Sequence, residues 1–259
     1  MIKWEAPLSA NADDTVRWRW FDGKPFPYIS ATSVLGLIVP DGLKKWFVNN
    51  DGATVRRVSE QAADRGTKIH DLIEQINLRR EIAIDIEFTE IIKQYKIFLS
   101  EVRPEFIHTE KDLQSDRFGF SGRADAIVRI GDRQEIWDFK TGRVSTTTGW
   151  QLGAYKIAAE EMGIRVDGLR VVQVNPKLNK VEVFNYEHFD FVENMFLKTL
   201  DLFKGVYFNN LRRGVSVPNQ EKVSFPIEYL TLDSAYEYKR GKNEKAIETG
   251  GQNKRKESL

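Results

Sequence analysis

The segment EIWDFKTG, residues 135–142, places an aspartate and a lysine at the end of a short apolar stretch. In a β-strand, side chains two positions apart project from the same face. Asp138 and Lys140 would therefore share one face, while Trp137 and Phe139 take the other. This pattern has two interpretations: a surface ion pair on a half-buried strand, or a chemical site.

A second acid lies upstream in GRADAIVRIGDRQEIWDFK, which predicts a hairpin turning at Gly131-Asp132. A two-residue turn places Asp125 directly opposite Asp138, whereas a three-residue turn makes them diagonal neighbours. Like charges opposite one another destabilise a sheet, so two close carboxylates need a compensating cation. Lys140 is one candidate, and a divalent metal such as Mg²⁺ or Mn²⁺ is the better one. The alternative is that Asp125 faces solvent and the other two form a rim ion pair.

Two predicted helices flank this hairpin in the sequence and carry polar residues at helical spacing. Gln151 and Tyr155 stand at i and i+4, on one face of the helix that follows the second strand. His70 stands four residues after Gly66 on a long upstream helix. A single helical histidine is more often packed or exposed than functional, so His70 alone predicts little.

Together, these segments resemble the RecB-like (Cas4-like) branch of the PD-(D/E)XK nuclease superfamily in order and spacing. The four motifs are Gly66-Thr-Lys-Ile-His70, Gly122-Arg-Ala-Asp125, Asp138-Phe-Lys140 and Gln151-Leu-Gly-Ala-Tyr155. The segment YISATSVLGLI is also similar to the lead-in of stand-alone phage-type and mitochondrial single-strand exonucleases. The resemblance implies metal-dependent hydrolysis of DNA.

The resemblance also implies roles for individual residues. The implied metal ligands are Asp125, Asp138, His70 and the backbone carbonyl of Phe139. For Glu110 there are two interpretations: approach to the metal through water, or an ordinary glutamate on an edge strand. Lys140 would orient the attacking water or stabilise negative charge in the transition state. Gln151 would hold Lys140 or the water in place.

Five further residues are candidates for DNA binding, each with a plainer alternative. They are Arg123, Arg143, Thr147, Trp150 and Tyr155. For the arginines the alternative is a solvated surface charge, for Thr147 a loop position, and for Trp150 a place in the core. Contact with a phosphate and simple packing are equally expected for Tyr155.

Composition excludes several classes of protein. The 259 residues contain no cysteine, so we expect no iron–sulfur cluster, zinc–thiolate site or disulfide. No apolar run is long enough to span a membrane, and no leader pattern is recognised at the N-terminus. We therefore expect no membrane partner and a cytoplasmic location in a bacterial or phage-infected cell. Lys and Arg total 39 against 38 Asp and Glu, so net charge does not identify a partner.

The predicted fold is α/β, with a restriction-endonuclease-like core in which helices flank a central mixed sheet. Residues 1–105 would form a helical N-terminal region carrying the histidine helix, with residues 1–28 wrapping the surface. The nuclease core would span 106–186 and a C-terminal helical region 187–238, followed by a disordered basic tail over 239–259. All of these belong to one compact domain.

The expected activity is that of a Mg²⁺- or Mn²⁺-dependent deoxyribonuclease. An exonuclease acting on single-stranded or frayed ends is favoured, in DNA repair, recombination or phage genome processing. A separate helicase, recombinase or single-strand-binding protein would be its partner. Two alternatives remain: an endonuclease of the same fold, and a non-catalytic DNA-binding subunit of a recombination complex.

Overall fold

The computed structural model describes residues 1–7, 15–215, 223 and 225–230, and its centre is an eight-stranded mixed β-sheet. The strands are β1 (Ile2–Pro7), β2 (Thr15–Trp20), β3 (Tyr28–Ser30), β4 (Glu105–Ser115), β5 (Phe120–Ile130), β6 (Arg133–Lys140), β7 (Gly168–Asn175) and β8 (Lys180–Tyr186). They follow the order β1-β2-β3-β5-β6-β7-β8, and β4 pairs with β5. The sheet is mixed because β3–β5 and β6–β7 are parallel pairs and the others are antiparallel.

Strand β5 is central to the fold because one of its edges is shared by two partners. β4 runs antiparallel along one edge. On the other edge, β3 pairs with Phe120 and Ser121, and β6 pairs with residues from Ala126 to Ile130. In the described part of the chain, residues 122–125 have no ladder partner on that second edge. The sheet therefore splits beside Asp125.

Helices cover both faces of the sheet. They are α1 (Ala31–Leu35), α2 (Asp41–Asn49), α3 (Gly52–Asn77), α4 (Thr89–Val102), α5 (Thr146–Glu161), α6 (Phe189–Val206) and α7 (Phe208–Arg213). One core packs the sheet against α1, α5 and α6, and a second packs it against α3 and α4. Ile136 of β6 enters the first core, while Trp137 and Phe139 enter the second. Asp138 and Lys140 thus face α5, as strand alternation predicts.

Local signals explain where the elements near the site begin and end. Helix α5 begins with a capping box in which Ser145 and Thr148 satisfy each other's backbone N–H groups. Helix α4 ends at Val102, and the next residue, Arg103, has a left-handed φ of 51° and directly precedes Pro104. The β5–β6 hairpin turns at Gly131, which has a φ of 58° that glycine adopts without strain.

The predicted α/β fold with a central mixed sheet between helices is confirmed. One expectation was wrong: residues 1–28 do not merely wrap the surface, because they contribute β1, β2 and the start of β3 to the sheet. In the predicted C-terminal helical region, the structure has two consecutive helices, because α6 ends at Val206 and α7 starts at Phe208. The proposed basic tail over 239–259 lies outside the described residues, as does part of the C-terminal helical region. None of the helices that the structure describes is long and apolar enough to cross a membrane.

Candidate active site

Asp125 and Asp138 meet where β5 and β6 separate. The hairpin has the register expected for a two-residue turn, and its last ladder pair is Ala126 with Trp137. One position further, the carboxylate of Asp125 accepts a hydrogen bond from the backbone N–H of Phe139 at 2.7 Å. Burial of Asp125, together with the neighbouring charge of Asp138, raises the pKa of Asp125 well above its ordinary value. Asp138 is itself only 1% exposed.

Lys140 supplies the nearest positive charge to these acids. Its Nζ atom lies 2.7 Å from Oδ2 of Asp138. Burial alone would lower the pKa of Lys140, but the charges of Asp138 and Asp125 outweigh burial and raise it. Lys140 is therefore protonated at neutral pH, the form in which a lysine donates hydrogen bonds and carries a positive charge.

Gln151 and Tyr155 support Asp138 from α5. Nε2 of Gln151 donates to Oδ1 of Asp138 at 2.9 Å and to the hydroxyl of Tyr155 at 2.7 Å. The Tyr155 ring is 3% exposed and lies against Gly122, where a Cβ atom would come within 2.2 Å of its Cε1. Of the two alternatives for Tyr155, its burial and hydrogen bond favour packing over contact with DNA. The resemblance implied that Gln151 would hold Lys140 or the attacking water in place, but in the structure it holds the carboxylate of Asp138.

Helix α3 brings His70 to the same place. Its Nδ1 lies 3.9 Å from Oδ2 of Asp125, and the ring lies near the backbone of Phe139. Burial, and then the positive charge of Lys140, lower the pKa of His70. The imidazole is therefore neutral near pH 7, which is the form that ligates metals.

Glu110 lies on β4 across from Asp125, and its backbone is unusual. Its φ is 49°, a left-handed conformation that non-glycine residues seldom adopt and that is often found at functional sites. Its carboxylate pairs with Nη1 of Arg123 at 3.3 Å. Burial raises the pKa of Glu110, although the charge of Arg123 opposes this rise. Glu110 thus lies at the edge of the site beside Asp125.

Arg123 belongs to a network that sequence reasoning did not find. Its guanidinium donates to both carboxylate oxygens of Asp112, at 2.9 and 3.0 Å, and to Glu110. Arg19 of β2 donates to the same Asp112 at 3.0 Å and to the carbonyl of Gly122 at 2.5 Å. Arg19 therefore reaches the unpaired edge of β5. The alternation in TVRWRW was the available signal for the strand that carries it.

The remaining DNA-binding candidates occupy different environments. Arg143 is exposed in the segment between β6 and α5. Thr147 is half-buried one turn before Gln151, and its hydroxyl shares a hydrogen bond with that of Ser145 at 2.8 Å. Trp150 is half-buried against the core on the α5 side. The structure thus places Arg143 and Thr147 near the site and Trp150 in packing.

Tyr186 is a further neighbour of the site that was not singled out from the sequence. It ends β8, and its ring lies over α5 at Gly149, where a Cβ atom would come within 2.3 Å of Cε1. Burial and the negative charge of Asp138 raise the pKa of Tyr186. A glycine within the first turn of a helix was the one local signal for this close approach.

The donor atoms suit a divalent ion without completing its coordination shell. Oδ2 of Asp138 is buried, and its contact with Lys140 does not have good hydrogen-bond geometry. This oxygen is therefore available to a divalent cation. Among the described residues, however, no three His, Cys, Asp or Glu side chains form a ligand group on their own. Magnesium is commonly held by one or two carboxylates, with water and phosphate oxygens filling the other positions. Asp125, Asp138 and nearby His70 fit that pattern.

Asp125 and the Asp138-x-Lys140 pair thus lie on adjacent strands of a split mixed sheet, as the resemblance to nucleases implied. A family model described as the PD-(D/E)XK nuclease superfamily matches residues 78–222, and the chain belongs to that superfamily. The match begins after His70, so the assignment does not depend on α3.

Other comparisons add little to this assignment. A sequence search of curated proteins finds no match. Among solved structures, the chain is similar to the one titled "Crystal structure of SSO0001", with 16% identity and a TM-score of 0.29. That similarity covers 43% of this chain and 57% of the other.

Proposed function

We propose that this protein is a Mg²⁺- or Mn²⁺-dependent deoxyribonuclease that hydrolyses phosphodiester bonds. Membership of the PD-(D/E)XK nuclease superfamily supports the reaction class. The observation that carries the proposal is the convergence of Asp125, Asp138 and Lys140 at the split in the sheet. His70, the fourth group implied from the sequence, comes from the distant helix α3, and its Nδ1 lies 3.9 Å from Oδ2 of Asp125.

Each residue has a distinct task in this proposal. Asp125, Asp138, His70 and the carbonyl of Phe139 would hold a divalent ion, which neutralises phosphate charge and lowers the pKa of bound water. Protonated Lys140 would donate to the attacking water or to a phosphate oxygen as negative charge develops there. Gln151 keeps the carboxylate of Asp138 oriented.

Within this class, we propose that the substrate is a single-stranded or frayed DNA end. The support is the resemblance of the motifs and of the segment YISATSVLGLI to stand-alone exonucleases. A separate helicase, recombinase or single-strand-binding protein would expose such ends during repair, recombination or phage genome processing. A covalently circular single strand separates this proposal from an endonuclease, because an exonuclease leaves it intact.

The test is a digestion panel of linear and circular DNA, single- and double-stranded, with Mg²⁺, Mn²⁺ or EDTA. Wild type should degrade linear single strands with metal, and Asp138→Asn should not. Lys198→Ala, at an exposed position of α6, is the control for loss of a surface lysine. In parallel, Mg²⁺ should raise the melting temperature of wild type more than that of Asp138→Asn. Robust cleavage by a folded Asp125→Asn/Asp138→Asn/Lys140→Met variant would refute the proposal.

The alternative from another class is a DNA-binding subunit without catalytic activity. The paired acids, the adjacent lysine and the supporting glutamine are all present in this chain, which favours an intact catalytic centre. Retention of DNA without cleavage by any of several divalent metals would instead support the binding subunit.

A further inference from the structure

A basic cleft of about 740 Å³ opens beside the end of β6. It is lined by the first half of α3, by the segment between β6 and α5, and by the β7–β8 hairpin with its turn. The side chains that matter here are Arg65, Arg143, Gln173, Lys177, Leu178 and Glu182. The sequence analysis singled out Arg143 but neither Arg65 nor Lys177.

The charge of this cleft is positive and not neutralised within it. Arg65, Arg143 and Lys177 are all exposed. No carboxylate among the residues that the structure describes forms an ion pair with any of the three. The one acid in the lining, Glu182, is paired with Lys180 at 2.6 Å. The cleft therefore offers three cations to an anionic ligand.

The cleft is continuous with the candidate active site. Thr141 and Gly142 line it and directly follow Lys140. Nε2 of Gln173, a residue that is 7% exposed, donates to the carbonyl of Gly142 at 2.5 Å and so ties β7 to this segment. A Cβ atom at Gly66 would touch Oγ1 of Thr141 at 3.4 Å, so α3 lies close against the same point. A chain bound in the cleft would lead directly to Lys140.

We propose that this cleft binds the sugar–phosphate backbone of a single nucleic-acid strand next to the scissile phosphate. The inference rests on the proposed nuclease function and specifies how that site receives its substrate. Its volume of about 740 Å³ falls in the range of pockets for small ligands, which accommodates a nucleotide or a dinucleotide. Basic grooves that follow one backbone are the common mode of single-strand binding. Leu178, which is 67% exposed, provides apolar contact for a sugar or base.

A second cleft provides a matched control. It has about the same volume, about 730 Å³, and also contains two arginines, Arg79 and Arg103, but it lies at the far end of α3 and α4. Both arginines have left-handed backbones, with φ of 55° and 51°, and asparagine tolerates that conformation. Arg65→Gln/Lys177→Gln and Arg79→Asn/Arg103→Asn each remove two positive charges from the full chain.

The experiment measures binding of a fluorescent single-stranded oligonucleotide by anisotropy in EDTA over a range of salt concentrations. Each lost phosphate contact reduces the slope of log affinity against log salt by about 0.7. Arg65→Gln/Lys177→Gln should therefore lose about 1.4 of that slope and bind about 20-fold more weakly at 0.1 M salt. The control variant should match wild type in both measurements, and a closed-end duplex should compete poorly.

The outcomes separate this inference from the proposed function. Equal binding by Arg65→Gln/Lys177→Gln and wild type, or equal losses of binding in the two double variants, would refute strand binding in this cleft even if wild type cleaves DNA. If the closed-end duplex competes as well as unlabelled single strand, the preference of the cleft for single strands would be refuted. Selective loss of binding in a protein that never cleaves DNA would support the cleft and refute the nuclease.

Discussion

Replacing Gly122 with alanine should damage the site through Tyr155. A Cβ atom at this position would lie 2.2 Å from Cε1 and 2.6 Å from Cδ1 of the tyrosine ring. The ring would have to withdraw by roughly 1 Å to reach ordinary contact, and it lies in a packed core. This movement pulls the hydroxyl away from Gln151, which in turn orients Asp138.

The expected magnitude follows from these two losses. Overpacking costs about 1–3 kcal/mol, and a lost neutral hydrogen bond costs about 1 kcal/mol. The free energy of unfolding of Gly122→Ala should therefore fall by about 2–4 kcal/mol, which lowers the melting temperature by about 4–16 °C. Because the support of Asp138, a proposed metal ligand, is disturbed, cleavage should fall by about 10- to 100-fold.

The assay compares melting temperature with cleavage of a linear single strand, measured well below every unfolding transition. Gly153→Ala is the matched control, because a Cβ atom there would lie 2.7 Å from the backbone of Val192 and strain the α5–α6 contact instead. Gly153 is roughly 200° around the helix from Gln151. Gly122→Ala with wild-type stability would refute the packing argument. Equal losses of activity in the two alanine variants would refute the link from Tyr155 to Asp138.

Three further predictions concern the groups around the site and a distant buried pair. Gln151→Leu should lower cleavage by about 10- to 100-fold and weaken the rise in melting temperature with Mg²⁺, because Asp138 loses its orienting donor; an unchanged Mg²⁺ titration would contradict this. Lys140→Met should lower cleavage by about 100- to 1,000-fold while keeping the Mg²⁺-dependent rise in melting temperature, since Lys140 is a donor and not a ligand; loss of metal binding would assign it another role. Lys156→Met removes the cation that lies 3.0 Å from fully buried Glu193. The free energy of unfolding, measured with denaturant, should fall by about 3–5 kcal/mol, while cleavage at low temperature should be unchanged. A fall below about 1 kcal/mol would show that the pair contributes little to stability.

Much of the core around the site was predictable because its signals are local. Alternation in EIWDFK correctly separated Asp138 and Lys140 from Trp137 and Phe139. The position of the hairpin turn at Gly131-Asp132 was predicted correctly, and of the two registers that the sequence left open the structure has the one for a two-residue turn. The i, i+4 spacing of Gln151 and Tyr155 likewise placed both on one helix face.

Two features near the site were less accessible from the sequence. The N-terminal strands were missed even though Val16 and Trp18 alternate with arginines in TVRWRW, because a short alternating run between polar residues also occurs in surface segments. The burial of Tyr155 could not be predicted either, since it depends on the absence of a side chain at Gly122 on another strand.

From sequence alone, strand faces, the position of the hairpin turn and the types of the chemical groups were determined, because each depends on residues close together in the chain. The tertiary structure alone decided that β3 and β6 share one edge of β5 and leave the gap beside Asp125. It also decided that His70 reaches this gap from α3 and Arg19 from β2. These arrangements depend on packing between segments from 55 to more than 100 residues apart, as between His70 and Asp125 or Arg19 and Gly122, and local spacing does not encode such contacts.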